Sequence, residues 1–200
     1  MLRATQILLK GRKDLDLLKV LQSEIKHELS SQPIQDNRRG SLGDFVVDWD
    51  SPDTLDVVLR RKCESGEQVA ISALFRPQAF WEGEVTKMTV LLKVFVKKPG
   101  LDSVLRFDCG VYGTSDRSQL NIHHAYYLRP TTCPGPSAYL GPKFGEPELH
   151  DLHEVLKQYL EAKGINESLA NFLIQHMSKK EQSQYVNWLQ KLESMVAKDD

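Results

Sequence analysis

The sequence MTVLLKVFV, residues 88–96, decides the fold, because its aliphatic and aromatic run is interrupted only by Thr89 and Lys93. It is far shorter than the roughly 18 apolar residues that a membrane span requires. A short β-branched run of this kind predicts a strand, and VAISALF at residues 69–75 has the same character. Because both runs are apolar at successive positions, we expect parts of both sheet faces to be covered.

Further short runs of β-branched and aromatic residues lie on either side of this pair. They are Phe45–Trp49, Leu55–Leu59, Val104–Cys109, Ile122–Leu128 and a weak last run at Ala138–Leu140. Turn sequences separate them, and no helical pattern does. Since parallel strands need long crossover connections, residues 44–139 predict an antiparallel meander.

The N-terminal part of the chain has a narrow helical stripe. Leu18, Leu21, Ile25 and Leu29 recur at spacings of three and four, and the pattern stops before Pro33. So narrow a stripe predicts a partner helix rather than a sheet.

The C-terminal part predicts two more helices. The first, from about Leu149, ends at Gly164, which suits the left-handed residue after a helix. Asn166 is the expected N-cap of a long final helix, whose later stripe holds Tyr185, Trp188 and Leu192. The polar turn 178–184 predicts an exposed or kinked stretch. The fold class is therefore α+β.

With 40% hydrophobic and 26% charged residues, the composition is that of a soluble globular protein. The formal net charge is −1, but residues 1–13 hold four basic side chains and no acid. This basic N-terminal segment predicts a mitochondrial targeting sequence, with a frayed tail or a helix start as the alternative. Residues 14–200 are expected to form a single domain.

Catalytic signatures are not found in the sequence: it has no phosphate-binding loop, dinucleotide fingerprint or nucleophile elbow. Cys109 lies among apolar residues and is interpreted as a core residue rather than a nucleophile. Adjacent strand residues point to opposite faces, so His123 and His124 are not expected to share a metal ion. We therefore predict no catalytic, cofactor or metal site, and no enzymatic activity.

Two groups of residues are candidates for contacts with other molecules. The helical residues Leu18, Leu21, Ile25, Tyr185, Trp188 and Leu192 predict a subunit or partner interface, although such a stripe is more commonly core. The basic residues Arg38, Arg39, Arg60, Arg61 and Lys62 are candidates for a polyanion contact, with solvated strand ends as the alternative.

The stretch LKQYLEAKGINESLANFL, residues 156–173, resembles the signature of the mitochondrial acidic matrix protein family. This family is also called the mitochondrial glycoprotein or complement globular-head-binding protein family. Glu181, Tyr185, Trp188 and Leu189 are similar to its closing helix, and residues 18–28 to its opening helix. The resemblance covers nearly the whole chain from about Asp14 and points to a plant-type member.

The resemblance implies a seven-stranded, strongly twisted antiparallel sheet flanked by one N-terminal and two C-terminal helices. The first and last helices would pair as a coiled coil, and three copies would form a ring-shaped homotrimer in the mitochondrial matrix. One departure is that residues 110–121 lack the acidic loop usual in the family, with only Asp116 against Arg117.

The resemblance implies a non-enzymatic, chaperone-like adaptor that supports mitochondrial ribosomes, translation and respiratory function through protein partners. The lack of a long apolar run predicts no membrane insertion. The alternative is direct binding of RNA or another nucleic acid by a basic rim. A small-molecule binder or enzyme is a third hypothesis, which would require a pocket holding His123 or His124 beside a carboxylate. A cytosolic or nuclear location is the alternative to the matrix.

Overall fold

In the computed structural model, antiparallel strands form an open sheet in which each strand pairs with the next along the chain. The structure describes residues 2–31, 40–77, 88–113, 118–129, 141–142, 144 and 149–197, with the side chains of the first helix from residue 14 onward. The described strands are β1 Val46–Asp50, β2 Asp56–Lys62, β3 Gln68–Pro77, β4 Met88–Lys97, β5 Val104–Gly113 and β6 Ser118–Leu128. The predicted antiparallel meander is confirmed.

The described part of the chain contains six strands. The seventh strand, which was expected at Ala138–Leu140, lies outside the described residues. The long pairing of β4 with both β3 and β5 explains why residues 88–96 are so apolar. A strand in the middle of a sheet is shielded from solvent on both edges.

The two faces of the sheet differ in burial. On one face, here called the core face, Ile71, Val94 and Phe107 are 0–1% exposed. They pack in one cluster with Leu160 from the helix after the sheet and Leu173 from the last helix. The opposite face, here called the outer face, carries half-buried Phe95 and exposed Leu74. Whether more of the chain covers this face, as the successive apolar positions predicted, stays a prediction.

The helices are α1 Leu2–Ser30, α2 His150–Ala162 and α3 Glu167–Val196. Helix α1 ends as predicted before Pro33, and the basic segment from Leu2 onward is its first part. The polar turn 178–184 is helical throughout. The predicted order of one N-terminal and two C-terminal helices is therefore confirmed.

The connection between α2 and α3 follows the predicted signals. Gly164 has a φ of 86°. The Gly164 amide donates to the carbonyl of Glu161, and the Ile165 amide donates to that of Leu160. This is the Schellman arrangement, in which Leu160 and Ile165 are both buried. Asn166 Oδ1 then accepts the Leu169 amide at 3.1 Å, so the predicted N-cap is confirmed.

The chain forms two compact units. The sheet unit contains residues 36–178, with all six described strands, α2 and the first part of α3. The helix unit contains residues 1–35 and 179–200, with α1 and the remainder of α3. None of the described helices is long and apolar enough to cross a membrane.

Candidate functional site

The basic run of β2 is divided between the two faces of the sheet, because side chains alternate along a strand. Arg60 and Lys62 lie on the outer face, in register with Ala70 and Gln68 of β3. The Arg60 guanidinium contacts Asp48 Oδ2 at 2.6 Å, and both side chains are largely exposed. An exposed pair of this kind contributes little to stability, so Arg60 is available to a ligand at small cost.

Arg61 has a structural role instead. Its Nη2 contacts Asp44 Oδ2 at 2.8 Å, and its Nη1 donates to the Lys163 carbonyl at 2.8 Å. The guanidinium also lies 5.9 Å from the centre of the Phe45 ring. Arg61 therefore ties β2 to the C-terminus of α2, where a cation is favourable for the helix dipole. Arg38 and Arg39 lie outside the described residues, so the structure brings together only part of the predicted basic rim.

The outer face brings Lys97 close to Lys62, although 34 positions separate them in the sequence. Gln68 of β3 pairs with Lys62 on one side and with Lys97 on the other. The two lysines thus lie two strand spacings apart, which is about 9.5 Å between Cα atoms.

A groove of about 640 Å³ lies between these cations. Its apolar floor includes Val46, Ala70 and Phe95, and its polar rim includes Arg60, Lys62 and Lys97. No short stretch of the sequence links Lys97 to Lys62, because the groove depends on cross-strand register. This groove is the candidate functional site of the sheet unit.

The helix unit contains the predicted interface residues of α1 and α3. Leu21 is buried at 5% exposure, whereas Leu18, Ile25, Tyr185 and Leu192 are half-buried. Trp188 is 54% exposed, although its neighbour Leu189 is only 3% exposed. The stripe is therefore core at some positions and surface at others.

Polar contacts pair α1 with the second part of α3 in antiparallel order. The Gln22 amide donates to Glu193 Oε1 at 2.9 Å, and the Tyr185 hydroxyl donates to Glu24 Oε1 at 3.3 Å. Near the other end, burial and then the neighbouring Glu28 raise the pKa of Glu181. The helical stripe thus has the partner helix that its narrow width predicted.

A second polar cluster joins α2 to the sheet. The Lys163 ammonium donates to Glu67 Oε2, and the ammonium lies 5.2 Å from the centre of the Tyr159 ring. This hydrogen bond lowers the pKa of Glu67 and raises the pKa of Lys163. The pair is nearly buried and holds the end of α2 on the sheet.

The prediction that His123 and His124 point to opposite faces is wrong. Ile122 and Ala125 of β6 pair with Cys109 and Phe107 of β5 on the core face. A β-bulge places two residues of β6, His123 and His124, between them, where a regular strand has one. His123 contacts the Tyr112 hydroxyl at 3.0 Å, and His124 is in register with Asp108. Both imidazoles therefore lie on the outer face. Burial, followed by the neighbouring His124, lowers the pKa of His123.

Cys109 is buried at 2% exposure, so its interpretation as a core residue is confirmed. Burial, followed by Asp108, raises the pKa of this thiol to about 12, so it is protonated at neutral pH. In the described part of the chain, one group of three residues could hold a metal ion, formed by Glu24, His27 and Glu28 of α1. Glu24 and Glu28 are half-buried and His27 is exposed, and acidic groups at a surface are common without an ion.

Known proteins resemble the chain in sequence and in fold. Residues 60–196 match the family described as MAM33, mitochondrial glycoprotein. The mitochondrial acidic protein mam33 of Schizosaccharomyces pombe is 42% identical over 60 residues, which are 29% of this chain and 21% of that protein. The matched segment thus spans about a fifth of the length of this relative.

Two solved structures share the fold at low sequence identity. The p22 protein of Trypanosoma brucei superposes with a TM-score of 0.65 at 19% identity, over 92% of this chain and 98% of that one. A Leishmania major protein of unknown function, described as a sequence homologue of human p32, gives 0.63 at 16% identity, over 92% and 99%. These likenesses establish the fold alone.

The family and the yeast relative are both described as mitochondrial, which confirms the mitochondrial location expected from the sequence. The family match covers the end of β2 with its basic run, β3 to β6 and both C-terminal helices. Since this is most of the chain, the protein belongs to the mitochondrial glycoprotein family.

Proposed function

We propose that this protein is a non-enzymatic, chaperone-like adaptor of the mitochondrial matrix, and a plant-type member of its family. It supports mitochondrial ribosomes, translation and respiratory function by binding other proteins. The observation that carries this proposal is the outer-face groove, where an apolar floor adjoins Lys62 and Lys97. Such a surface offers binding without the convergent reactive groups that catalysis requires.

The titratable groups of the described residues support a binding role. Arg61 and the Glu67–Lys163 pair join elements of the fold, and Cys109 is a neutral core thiol. His123 contacts the Tyr112 hydroxyl, and Asp108, which lies opposite His124, accepts two hydrogen bonds from Arg106. The hypothesis of an enzyme or small-molecule site at these histidines therefore gains no support from the described residues.

Self-association is part of the proposal. We take residues 14–200 as one domain and three copies as a ring, with α1 and α3 forming a coiled coil. Trp188 and Leu29 support a subunit or partner interface on the helix unit, because they are 54% and 67% exposed. We propose that these two side chains belong to an apolar contact surface, which is the kind of surface that commonly marks protein interfaces.

The adaptor proposal is tested by crosslinking a tagged chain in intact mitochondria and identifying the proteins recovered. We expect ribosomal proteins or translation factors, and slower synthesis of mitochondrially encoded proteins after depletion of the chain. Recovery of the tagged chain alone, with normal synthesis after depletion, would contradict the proposal.

A second candidate function is direct binding of RNA. Its support is that Arg60, Lys62 and Lys97 line one groove. If the rim contacts phosphates, the affinity for an RNA falls with salt at a slope of about −0.7 for each contact in a single strand. An affinity that does not change with salt would contradict this function.

A further inference from the structure

We propose that the outer-face groove binds a short, extended, acidic segment of a partner protein in which acidic and apolar residues alternate. This inference rests on the adaptor function and adds the chemistry of the partner. It begins with the charges around the groove.

Two cations of the groove have no carboxylate within ion-pair distance among the described residues. Arg60 is paired with Asp48, and Arg61 is paired with Asp44. Lys62 and Lys97, by contrast, form no ion pair in the part of the chain that the structure describes. The unneutralised charge of the groove therefore lies at these two lysines, one at each side of Gln68.

The floor of the groove determines what else the ligand must contain. Val46 of β1 is in register with Arg60 of β2, which is in register with Ala70 of β3. Ala70 is in turn in register with Phe95 of β4. These four residues form one row across the outer face, and Val46, Ala70 and Phe95 are its apolar members. Phe95 is half-buried and Val46 is 62% exposed. Covering such a row gains about 25 cal/mol for each Å² of apolar surface removed from water. A purely ionic ligand would leave the floor uncovered.

An alternating peptide satisfies both requirements. Successive side chains of an extended chain point to opposite sides, and alternate residues on one side lie about 6.7 Å apart. Its apolar side chains would face the row of Val46, Ala70 and Phe95. Its carboxylates would then lie at the rim, within reach of the flexible Lys62 and Lys97 side chains.

The same observations favour a peptide over a nucleic acid. The whole chain has a net charge of −1, whereas nucleic-acid-binding domains are strongly basic. The groove floor holds one aromatic side chain, Phe95, among aliphatic ones, and base stacking relies on several aromatic platforms.

The test is fluorescence anisotropy of the full chain with a fluorescein-labelled octapeptide of alternating glutamate and leucine at low ionic strength. An octapeptide of alternating lysine and leucine and an oligouridylate of equal negative charge serve as comparison probes. We expect saturable binding of the glutamate peptide alone. The double variant Lys62→Glu/Lys97→Glu should weaken that binding by about tenfold or more.

The matched control is Lys93→Glu/Lys19→Glu, which changes the net charge equally. Lys93 is exposed on β4, the strand of Lys97, but does not line the groove. Lys19 is exposed on α1. We expect this control to bind like the unmodified protein. Ala70→Leu, which fills the floor without a change of charge, should also weaken binding. Circular dichroism melts of each variant would check that it is folded.

Three results would overturn the inference: no saturable binding of the glutamate peptide, equal weakening in both double variants, or binding of the oligouridylate in its place. Crosslinking in mitochondria separates this failure from failure of the adaptor function. If the Lys62→Glu/Lys97→Glu chain recovers the same proteins as the unmodified chain, the groove is not the partner site but the adaptor function stands. If the unmodified chain recovers none, the adaptor function itself fails.

Discussion

The sheet unit and the helix unit bury their apolar residues to different degrees. In the sheet unit, the core-face side chains from Val69 to Phe75, from Val90 to Val96 and from Phe107 to Val111 are 0–5% exposed. Among the described residues of the helix unit, Leu21 and Leu189 are buried, whereas Val20, Leu29 and Trp188 are more than half exposed. The sheet unit therefore has a continuous buried core beneath an exposed outer face, whereas the described part of the helix unit buries few positions and has apolar surface left for another chain.

The largest expected effect is in the core of the sheet unit. Ile71→Ala removes a side chain that is 0% exposed, so we expect a loss of about 3 kcal/mol in the free energy of unfolding. The matched control is Leu74→Ala on the outer face of the same strand, where the side chain is 41% exposed and the loss should be below about 1 kcal/mol. Urea denaturation measures both. Equal losses would mean that the outer face is also a closed core.

A smaller effect is expected at the buried position of the helix unit. Leu189→Ala should lower its local stability by about 2 kcal/mol, because the site is less enclosed than the sheet core. Trp188→Ala, one residue away and 54% exposed, should leave the stability of a monomer nearly unchanged. Amide hydrogen exchange in α1 and the end of α3 measures both. If Trp188→Ala accelerates exchange more than Leu189→Ala, the assignment of core and surface in this unit is reversed.

The Glu67–Lys163 ion pair should contribute less to stability than the buried side chains of either unit. Glu67→Gln removes a charged hydrogen bond that is nearly buried, which should cost about 1.5 kcal/mol, whereas exposed Glu64→Gln should cost almost nothing. Because the folded pKa of Glu67 lies below its ordinary value of 4.5, the contribution is present above that value. It is lost as the pH falls through the folded pKa.

Lys163 sets the limit on the alkaline side. Its folded pKa lies above the ordinary value of 10.5, so the contribution is present below that value and is lost as the pH rises further. Denaturation of the Glu67→Gln variant across pH measures both limits. A deficit that stays constant down to strongly acidic pH would contradict the proposed ion pair.

The smallest change in stability is expected at Glu181 of the helix unit. Unlike the substitutions above, its replacement should stabilise the unit. The raised pKa of Glu181 means that its ionised form is disfavoured in the folded chain, so the cost appears as the pH rises through the ordinary value of 4.5 to the folded pKa. Glu181→Gln should therefore stabilise the helix unit at neutral pH, by less than about 0.5 kcal/mol because the side chain is partly solvated. The gain should vanish in acid.

Hydrogen exchange at two pH values measures this effect, with exposed Glu161→Gln on α2 as the control. A destabilised variant at neutral pH would show that the ionised carboxylate of Glu181 makes a favourable contact.

The sequence predicted those features that depend on near neighbours. Apolar runs gave the strands, and Gly164 and Asn166 marked the ends of α2 and α3, because backbone caps depend on a few consecutive residues. The bulge at His123 was missed, since one extra residue changes which face a side chain points to without changing the composition of the strand. Alternation alone therefore misplaced the histidine.

The groove was missed for a different reason. In the sequence, one basic run contains Arg60, Arg61 and Lys62. In the sheet, the side chain of Arg61 lies on the opposite face from those of its two neighbours, and cross-strand register brings Lys97 close to Lys62. Register across three strands is fixed by the turns and by burial of the core face, so it cannot be predicted from any short segment of the sequence. The family resemblance gave the fold but not this constellation.

Light scattering coupled to gel filtration, repeated across protein concentration, gives the decisive test of the proposed ring. We expect a stable trimer of about three times 22.8 kDa, in which the exposed apolar residues of the helix unit contact other copies or partners. Replacement of Trp188 and Leu29 by serine should then weaken assembly while the sheet unit stays folded. A monodisperse monomer at every concentration would contradict the ring, and those residues would need a different chain as their partner.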